Sequence, residues 1–201
     1  ANFAGDWLAE AKALAGRPTL DLRANTLKAG RDKVLKALER NGALASAIAR
    51  QGIRIPAGEG PARLPNVTAD LAFQKGWFEV QDEGSQIVAD LVVPGEGEQV
   101  LDFCAGGGGK TLAMAAAMHN KGQVHAYDTD RKRLAPIIER LKRAGTRNVQ
   151  VHEDISSLAP LKDRFDRVLV DAPCTGTGTW RRRPDTKWRL TEKNLEERLT
   201  Q

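Results

Sequence analysis

The sequence is poor in the residues that build cross-links and metal cages. Cysteine occurs twice, at Cys104 and Cys174, and histidine three times, at His119, His125 and His152. A disulfide scaffold is excluded, and so is a zinc site of the usual spacing with four cysteines or with two cysteines and two histidines; no metal is expected. So sparse a use of cysteine suits a reducing, cytoplasmic setting. Long apolar runs are also missing: none reaches the ~18–20 residues of a membrane span. The opening ANFAGDWLAEAKALAG has no basic stretch followed by an apolar core, so neither a leader nor a membrane partner is expected. Repeats and low-complexity tracts are absent as well. What remains is a 201-residue chain, 41% hydrophobic and 28% charged. That is the balance of a folded protein with one large domain, or a small domain joined to a medium one.

The net charge is +5, from 31 Lys and Arg against 26 Asp and Glu, and it is unevenly spread. Residues 1–78 hold twelve basic and seven acidic residues, whereas residues 79–201 hold nineteen of each. A basic module in front of a neutral one suits a polyanion such as nucleic acid, with Arg23 and Lys28 as candidate contacts; ordinary solubility charge is the plain alternative. Residues 4–15 place Trp7, Leu8, Ala11 and Leu14 on one helical face, and Pro18 ends the run. Residues 20–24 alternate as a strand. Residues 31–41 carry Val34, Leu35 and Leu38 at helical spacing and close at Asn41-Gly42. A short strand at 53–55 stops at Pro56, and the Gly- and Pro-rich stretch 56–66 reads as a surface loop. Together these predict a small α+β module.

From about residue 84 the rhythm changes. A helix at 84–92 is followed by four short apolar runs, at 100–103, 124–127, 149–152 and 168–171. Helical stretches at 110–119 and 131–144 separate them. Strands alternating with helices predict βαβ units and a parallel sheet. Asp102, Asp128 and Asp171 stand at or beside the ends of three runs, and Glu153-Asp154 follows the other. The carboxyl ends of strands in an open α/β sheet are where ligands bind.

The loop after the first run reads Asp102-Phe103-Cys104-Ala105-Gly106-Gly107-Gly108-Gly109-Lys110-Thr111. Four glycines between a strand and a helix let the backbone approach a ligand closely, and the helix start offers free N–H groups. A phosphate-binding G-x-x-x-x-G-K-[ST] loop fails because its first glycine falls on Cys104. A dinucleotide G-x-G-x-x-G from Gly106 fails at Thr111. An S-adenosylmethionine loop fits better: the ligand has a carboxylate for the helix start and a ribose diol for Asp128, 22 residues beyond Gly106. A tight turn with solvated acids is the plain alternative.

The fourth run leads into Asp171-Ala172-Pro173-Cys174, a thiol on a stiff turn. Methylating cytosine at carbon 5 needs a thiolate that adds to carbon 6 and makes the ring an enamine. Amino-group methyltransferases tend to carry an aromatic after a proline pair instead. A small buried thiol is the alternative for Cys174 taken alone. Further on, Arg181, Arg182, Arg183, Lys187 and Arg189 interleave with Trp180 and Trp188. They suit phosphate and unstacked-base contacts, or else a solvated loop with Trp188 in the core. Arg131-Lys132-Arg133 and Lys142-Arg143 are expected on solvated helix faces. The histidines have no carboxylate or cysteine partner at ligand spacing and read as structural.

At these residues the chain resembles the Nol/Nop/Sun family of RNA cytosine-C5 methyltransferases. The resemblance runs from about residue 20 onward. It is carried by Asp21-Leu22-Arg23-Ala24-Asn25-Thr26-Leu27-Lys28, by GWFEVQDEGSQ at 76–86, by the glycine loop, by the Asp-Ala-Pro-Cys run and by RRRPDTKW at 181–188. It implies an α/β fold: a class I, Rossmann-like S-adenosylmethionine-dependent methyltransferase sheet at 79–201, truncated after the fourth strand. A small RNA-recognition-like, RNA-binding module at 1–78 precedes it. It implies a cofactor site lined by Cys104, Ala105, Gly106, Gly107, Gly108, Gly109, Lys110, Asp128, Asp154 and Asp171, with Asp154 near the adenine and Asp171 near the methionine end. It implies ribosomal RNA as substrate. In the family the nucleophile is a second cysteine, in a Thr-Cys turn after the fifth strand, while the Pro-Cys thiol, here Cys174, assists product release. The sequence reaches residue 201 before such a turn, so methyl transfer by this stretch alone is not expected. Gly107 stands where the family usually has proline, which is expected to loosen the loop entropically. Two other readings are an amino-group or small-molecule methyltransferase on the same fold, which the Pro-Cys turn opposes, and a non-catalytic RNA-binding or assembly factor that keeps the cofactor fold.

Overall fold

The computed structural model describes residues 6–58 and 63–200, so part of the 56–66 loop lies outside the described residues. The chain divides into two compact units, one running from Leu20 to Asp171 and the other combining the segments on either side. In chain order the elements are α1 (Trp7–Ala15), β1 (Leu20–Ala24), α2 (Arg31–Ala37), β2 (Leu44–Ala45), β3 (Gly52–Ile55), α3 (Leu71–Gln74), β4 (Phe78–Val80) and α4 (Glu83–Leu91). There follow β5 (Gln99–Asp102), α5 (Gly109–Ala117), β6 (Gln123–Tyr127), α6 (Arg131–Leu134), α7 (Ile137–Ala144), β7 (Val149–His152), β8 (Arg167–Leu169), α8 (Thr186–Arg189) and α9 (Glu192–Leu199).

Within the Leu20–Asp171 unit, β2–β3–β1–β4 form an antiparallel sheet. Leu22 lies opposite Ile53 on one side, and Ala24 opposite Phe78 on the other. These side chains share a face and form a core with Val34, Leu38, Val67 and Ala72. The alternation of β1 predicts that Asp21 and Arg23 point the other way, and they do, but that face is buried too. α4 packs against β1 and α5, and the polar groups of the covered face find partners there. Gln86 on α4 donates to the Leu22 and Gln81 carbonyls at 3.1 and 2.8 Å. Asn25 donates to the Gly76 and Ala144 carbonyls, both at 2.8 Å. The module boundary expected between residues 78 and 79 therefore falls inside β4, and hydrogen bonds tie the two sides together.

The second sheet is parallel, in the order β7–β6–β5–β8. Val100, Val124 and Leu169 pack with Met114, Ala115 and Met118 on or next to α5. Leu112 and Ala126 pack with Ile137, Leu141 and Ala144 on α7. The opposite face carries Leu101 and Tyr127, covered by Leu158 from the 3-10 turn Ile155–Leu161. The helix expected over 131–144 is two helices, because Pro136 has no N–H to continue α6 and instead opens α7. β8 stops at Leu169, leaving Asp171 two residues beyond it, and Val168 and Val170 are exposed. His125 and His152, on neighbouring β6 and β7, share a hydrogen bond of 2.9 Å between Nδ1 and Nε2. His119 pairs with the exposed Glu96 at 3.0 Å across the surface.

In the other unit, α1 forms as its apolar spacing predicts, yet none of its residues is buried. α9 begins with a capping box in which Thr191 and Asn194 exchange hydrogen bonds. Arg181 donates to the Arg17 carbonyl at 2.9 Å.

Candidate functional site

The site is built where β5 ends. After Asp102 the chain turns through the glycines into α5, which Gly108 precedes with φ +79°. A Cβ there would lie 2.4 Å from Ile137 Cγ1, so both backbone and packing demand glycine. Three bonds close the loop: Ala105 N–H to the Tyr127 carbonyl, Gly106 N–H to Asp128 Oδ2 and Gly108 N–H to the Ala105 carbonyl, each 2.9 Å. The other Asp128 oxygen accepts the Asp130 N–H at 2.9 Å, and Asp128 is only 2% exposed. Its carboxylate thus holds the loop against the end of β6, with lone pairs remaining on both oxygens.

A cavity of about 230 Å³ opens over this loop. Of the expected cofactor residues it is lined by Cys104, Ala105, Gly106, Gly107, Gly109, Lys110 and Asp171. Gly108, Asp128 and Asp154 do not line it. Asp154 is exposed after β7, where its side chain accepts the Ser156 N–H at 2.8 Å and caps the following turn; that bond holds it below the usual carboxylate range. Lys110 Nζ sits 2.5 Å from Asp171 Oδ2 across the cavity mouth. Burial pushes the Cys104 thiol up, and Asp128 and Asp102 act in the same direction, so this thiol is a poor source of thiolate.

The cavity also has walls outside the expected set. Asp102 lines it while only 1% exposed. One of its oxygens accepts the Thr111 hydroxyl at 2.7 Å, and the other has no hydrogen-bond partner among the described residues. Burial pushes its pKa up to about 6, against the Thr111 bond and the Lys110 charge. The sequence signal was available, since Asp102 is one of the strand-terminal acids. Gln81 and Ser85 line the cavity from β4's end and α4, and Arg133 and Arg140 from the α6–α7 segment. Arg133 is exposed, as expected, with Nη1 3.9 Å from Asp128, whereas the expectation that Arg143 is solvated is corrected. Arg143 pairs with the buried Glu79 and stacks on Phe73 at 4.0 Å. Arg23, expected to meet phosphate, is buried as well, and burial pushes its pKa down to about 10.

Cys174 belongs to the other unit and is exposed, its sulfur 3.4 Å from the Gly176 N–H. With Thr186, Arg189, Asn194 and Glu197 it borders a depression of about 220 Å³. Trp188 is not in a core: it is 86% exposed, and Arg189 beside it pairs with Asp185 at 3.1 Å. Among the described residues there is no group of three or more His, Cys, Asp or Glu able to hold a metal ion, and no helix is long and apolar enough to cross a membrane.

Comparison with known proteins agrees with this architecture. The family model described as 16S rRNA methyltransferase RsmB/F matches residues 89–201. Ribosomal RNA small subunit methyltransferase B of Cronobacter sakazakii is 36% identical over 196 residues, which are 96% of this chain and 44% of that protein. The crystal structure of PH0851 superposes with a TM-score of 0.86 at 32% identity, covering 98% of this chain and 44% of that one. A methyltransferase homolog protein from Pyrococcus horikoshii gives a TM-score of 0.77 at 28% identity, covering 96% of this chain and 60% of that one. The chain spans less than half the length of the curated relatives it matches. Since the family model covers more than half of the chain, and the glycine loop and parallel sheet it spans have the geometry described above, the chain belongs to the 16S rRNA methyltransferase RsmB/F family.

Proposed function

We propose that the cavity over the glycine loop binds S-adenosylmethionine and that the chain supplies the cofactor site of an RNA cytosine-C5 methyltransferase acting on ribosomal RNA. The observation that carries this reading is the buried Asp102 in the wall of the cavity, one of whose carboxylate oxygens has no hydrogen-bond partner among the described residues. A buried carboxylate oxygen without a donor is costly, and a ligand ammonium satisfies it. The amino-acid end of S-adenosylmethionine offers that ammonium beside a carboxylate, which suits the N–H groups at the start of α5. When bound, the cofactor supplies an electrophilic methyl group on a sulfonium. Asp171, poised by Lys110, faces the same end. The remaining Asp128 lone pairs take the ribose, and Asp154, after β7, takes the adenine side. Cys174, exposed, is the thiol that assists product release.

An RNA partner is supported by the exposed Lys28, Lys33 and Lys75. Lys33 and Lys75 lie 4.2 and 5.5 Å over the Trp77 ring. The exposed Trp188 beside Lys187 adds a surface on which an unstacked base can lie. The test is calorimetric titration of the chain with S-adenosylmethionine. Saturable binding is expected, weakened at least about tenfold in Asp102→Asn, since a charge-assisted hydrogen bond contributes roughly 1.5–3 kcal/mol. No heat of binding in the wild type, or the same affinity in Asp102→Asn, sinks the assignment of this cavity.

A further inference from the structure

Four consecutive glycines give the cofactor loop more backbone freedom than any other sequence of its length, and a binding loop must lose that freedom when it closes on a ligand. In this chain two arginines grip the loop from outside it. Arg140 on α7 donates through Nη1 to the Gly107 carbonyl at 2.5 Å. Arg23 on β1 donates through Nη2 to the Gly109 carbonyl at 3.3 Å. Each arginine is itself aligned by a residue of one short segment. Glu79 on β4 accepts from Arg140 Nε and Nη2 at 3.2 and 2.9 Å. Gln81, two residues on and just past the end of β4, accepts from Arg23 Nε at 2.7 Å. Glu79 is 2% exposed, so this grip works at low dielectric and is screened little by salt.

We propose that Arg140 and Arg23, aligned by Glu79 and Gln81, are positioning residues that order the glycine loop for the cofactor, so that the small antiparallel sheet is a working part of the cofactor site. They touch loop carbonyls and hold no reacting atom. The functional meaning rests on the cofactor reading above; the ordering of the loop does not. Arg143 provides an internal comparison. It shares Glu79 with Arg140, at 2.5 Å, but its other neighbour is Phe73 and it makes no bond to the loop among the described residues. A mutation that merely weakens the fold acts alike at both arginines; loss of the grip acts only at Arg140.

The experiment is amide hydrogen exchange on the full, ligand-free chain, read over residues 104–112, together with titration by S-adenosylmethionine. Arg140→Ala is expected to speed exchange at Gly108 and its neighbours about tenfold and to weaken binding about tenfold. Arg143→Ala is expected to leave loop exchange as in the wild type. Gly107 does not have a positive φ, and the atom nearest an added Cβ is Arg140 Nη1 at 3.2 Å. Gly107→Ala placed in the Arg140→Ala background therefore meets no obstacle and restores about two- to fivefold of the affinity by stiffening the loop covalently. Unchanged loop exchange in Arg140→Ala, equal acceleration in Arg143→Ala, or no recovery on adding Gly107→Ala overturns the proposal. If the wild type binds no cofactor, the cofactor reading fails, and the exchange data still decide whether the grip orders the loop.

Discussion

Asp102 predicts an uncommon outcome, a substitution in the binding site that stabilises the protein. Its folded-state pKa of about 6 lies above the 3.8 of a free carboxyl. The two-unit difference, at ~1.36 kcal/mol per unit, sets the cost of its buried charge at about 3 kcal/mol as an upper bound. Because the folded chain takes up this proton more readily than the unfolded one, the cost is full above pH 6 and is relieved as pH falls towards 3.8. About 1.4 kcal/mol of it is recovered by pH 5. Asp102→Asn removes the charge and keeps an oxygen for the Thr111 hydroxyl, but leaves an amide N–H₂ where the carboxylate oxygen had no partner. Subtracting roughly 1–2 kcal/mol for that unpaired donor leaves a net stabilisation of about 1–2 kcal/mol at pH 8. Urea unfolding of both chains at pH 8 and pH 5 measures it. Other acids titrate in both chains and cancel in the difference, so the gap between variant and wild type narrows by about 1.4 kcal/mol at the lower pH. A variant less stable than the wild type at pH 8, or a gap independent of pH, refutes the assigned burial cost. Gained stability with lost cofactor affinity is the signature of a charge kept for a ligand.

Other outcomes follow from the same geometry. Gly108→Ala combines a positive φ with a Cβ 2.4 Å from Ile137, and thermal or urea unfolding should register a loss of about 2–4 kcal/mol. A thiol reagent should modify the exposed Cys174 well before Cys104, whose thiol is pushed up by burial, and S-adenosylmethionine should slow only the second phase. Burial pushes His125 and His152 down, so the folded chain binds their protons less readily than the unfolded one; both should titrate below 6.5 by NMR, and stability should fall as pH drops through that value. Retention of small-subunit ribosomal RNA should weaken in Lys28→Glu and Lys75→Glu and lose roughly 0.7–0.9 of salt slope per contact removed; a slope unchanged by both reversals speaks against this surface.

Much of this was readable in advance because local chemistry decided it. The four apolar runs became β5 to β8, and Asn41-Gly42 closes the 31–41 run with Gly42 in the left-handed region, although that run is α2 to Ala37 followed by a 3-10 turn at Glu39–Asn41. The glycine loop lies at the carboxyl end of β5, as the strand and helix signals on either side predict. What escaped depended on partners far away in the chain. β2 and β4 are two and three residues long, too short for periodicity to register, and exist because β3 and β1 pair with them. Arg143 sits in a basic run that looks solvated until Glu79, 64 residues earlier, is brought to it. Neither the strand-end position and distance from Gly106 that point to Asp128 nor the family resemblance that points to Asp154 says which way a carboxylate turns: Asp154 caps a turn in solvent and Asp128 holds Gly106.

The burial of both faces of the small sheet also bears on how an RNA could be met. In an RNA-recognition module the open sheet face carries aromatics on which bases stack. Here the face opposite the apolar core carries Asp21, Arg23, Glu79 and Gln81, all buried. Arg54 adds to it by pairing with Asp21, and it also reaches Glu83. Its cations are therefore neutralised within the fold, and the charge excess of the first 78 residues overstates what a phosphate can reach. Among the cations left at the surface, Lys33 and Lys75 lie over Trp77 and Lys28 follows Asn25, which ties Gly76 to the α7 end; Lys36, Arg40 and Arg50 are exposed as well. On that face Arg23 donates to the Gly109 carbonyl and Glu79 aligns the Arg140 that donates to the Gly107 carbonyl, so under the proposed grip the small sheet serves the cofactor loop whatever RNA it touches.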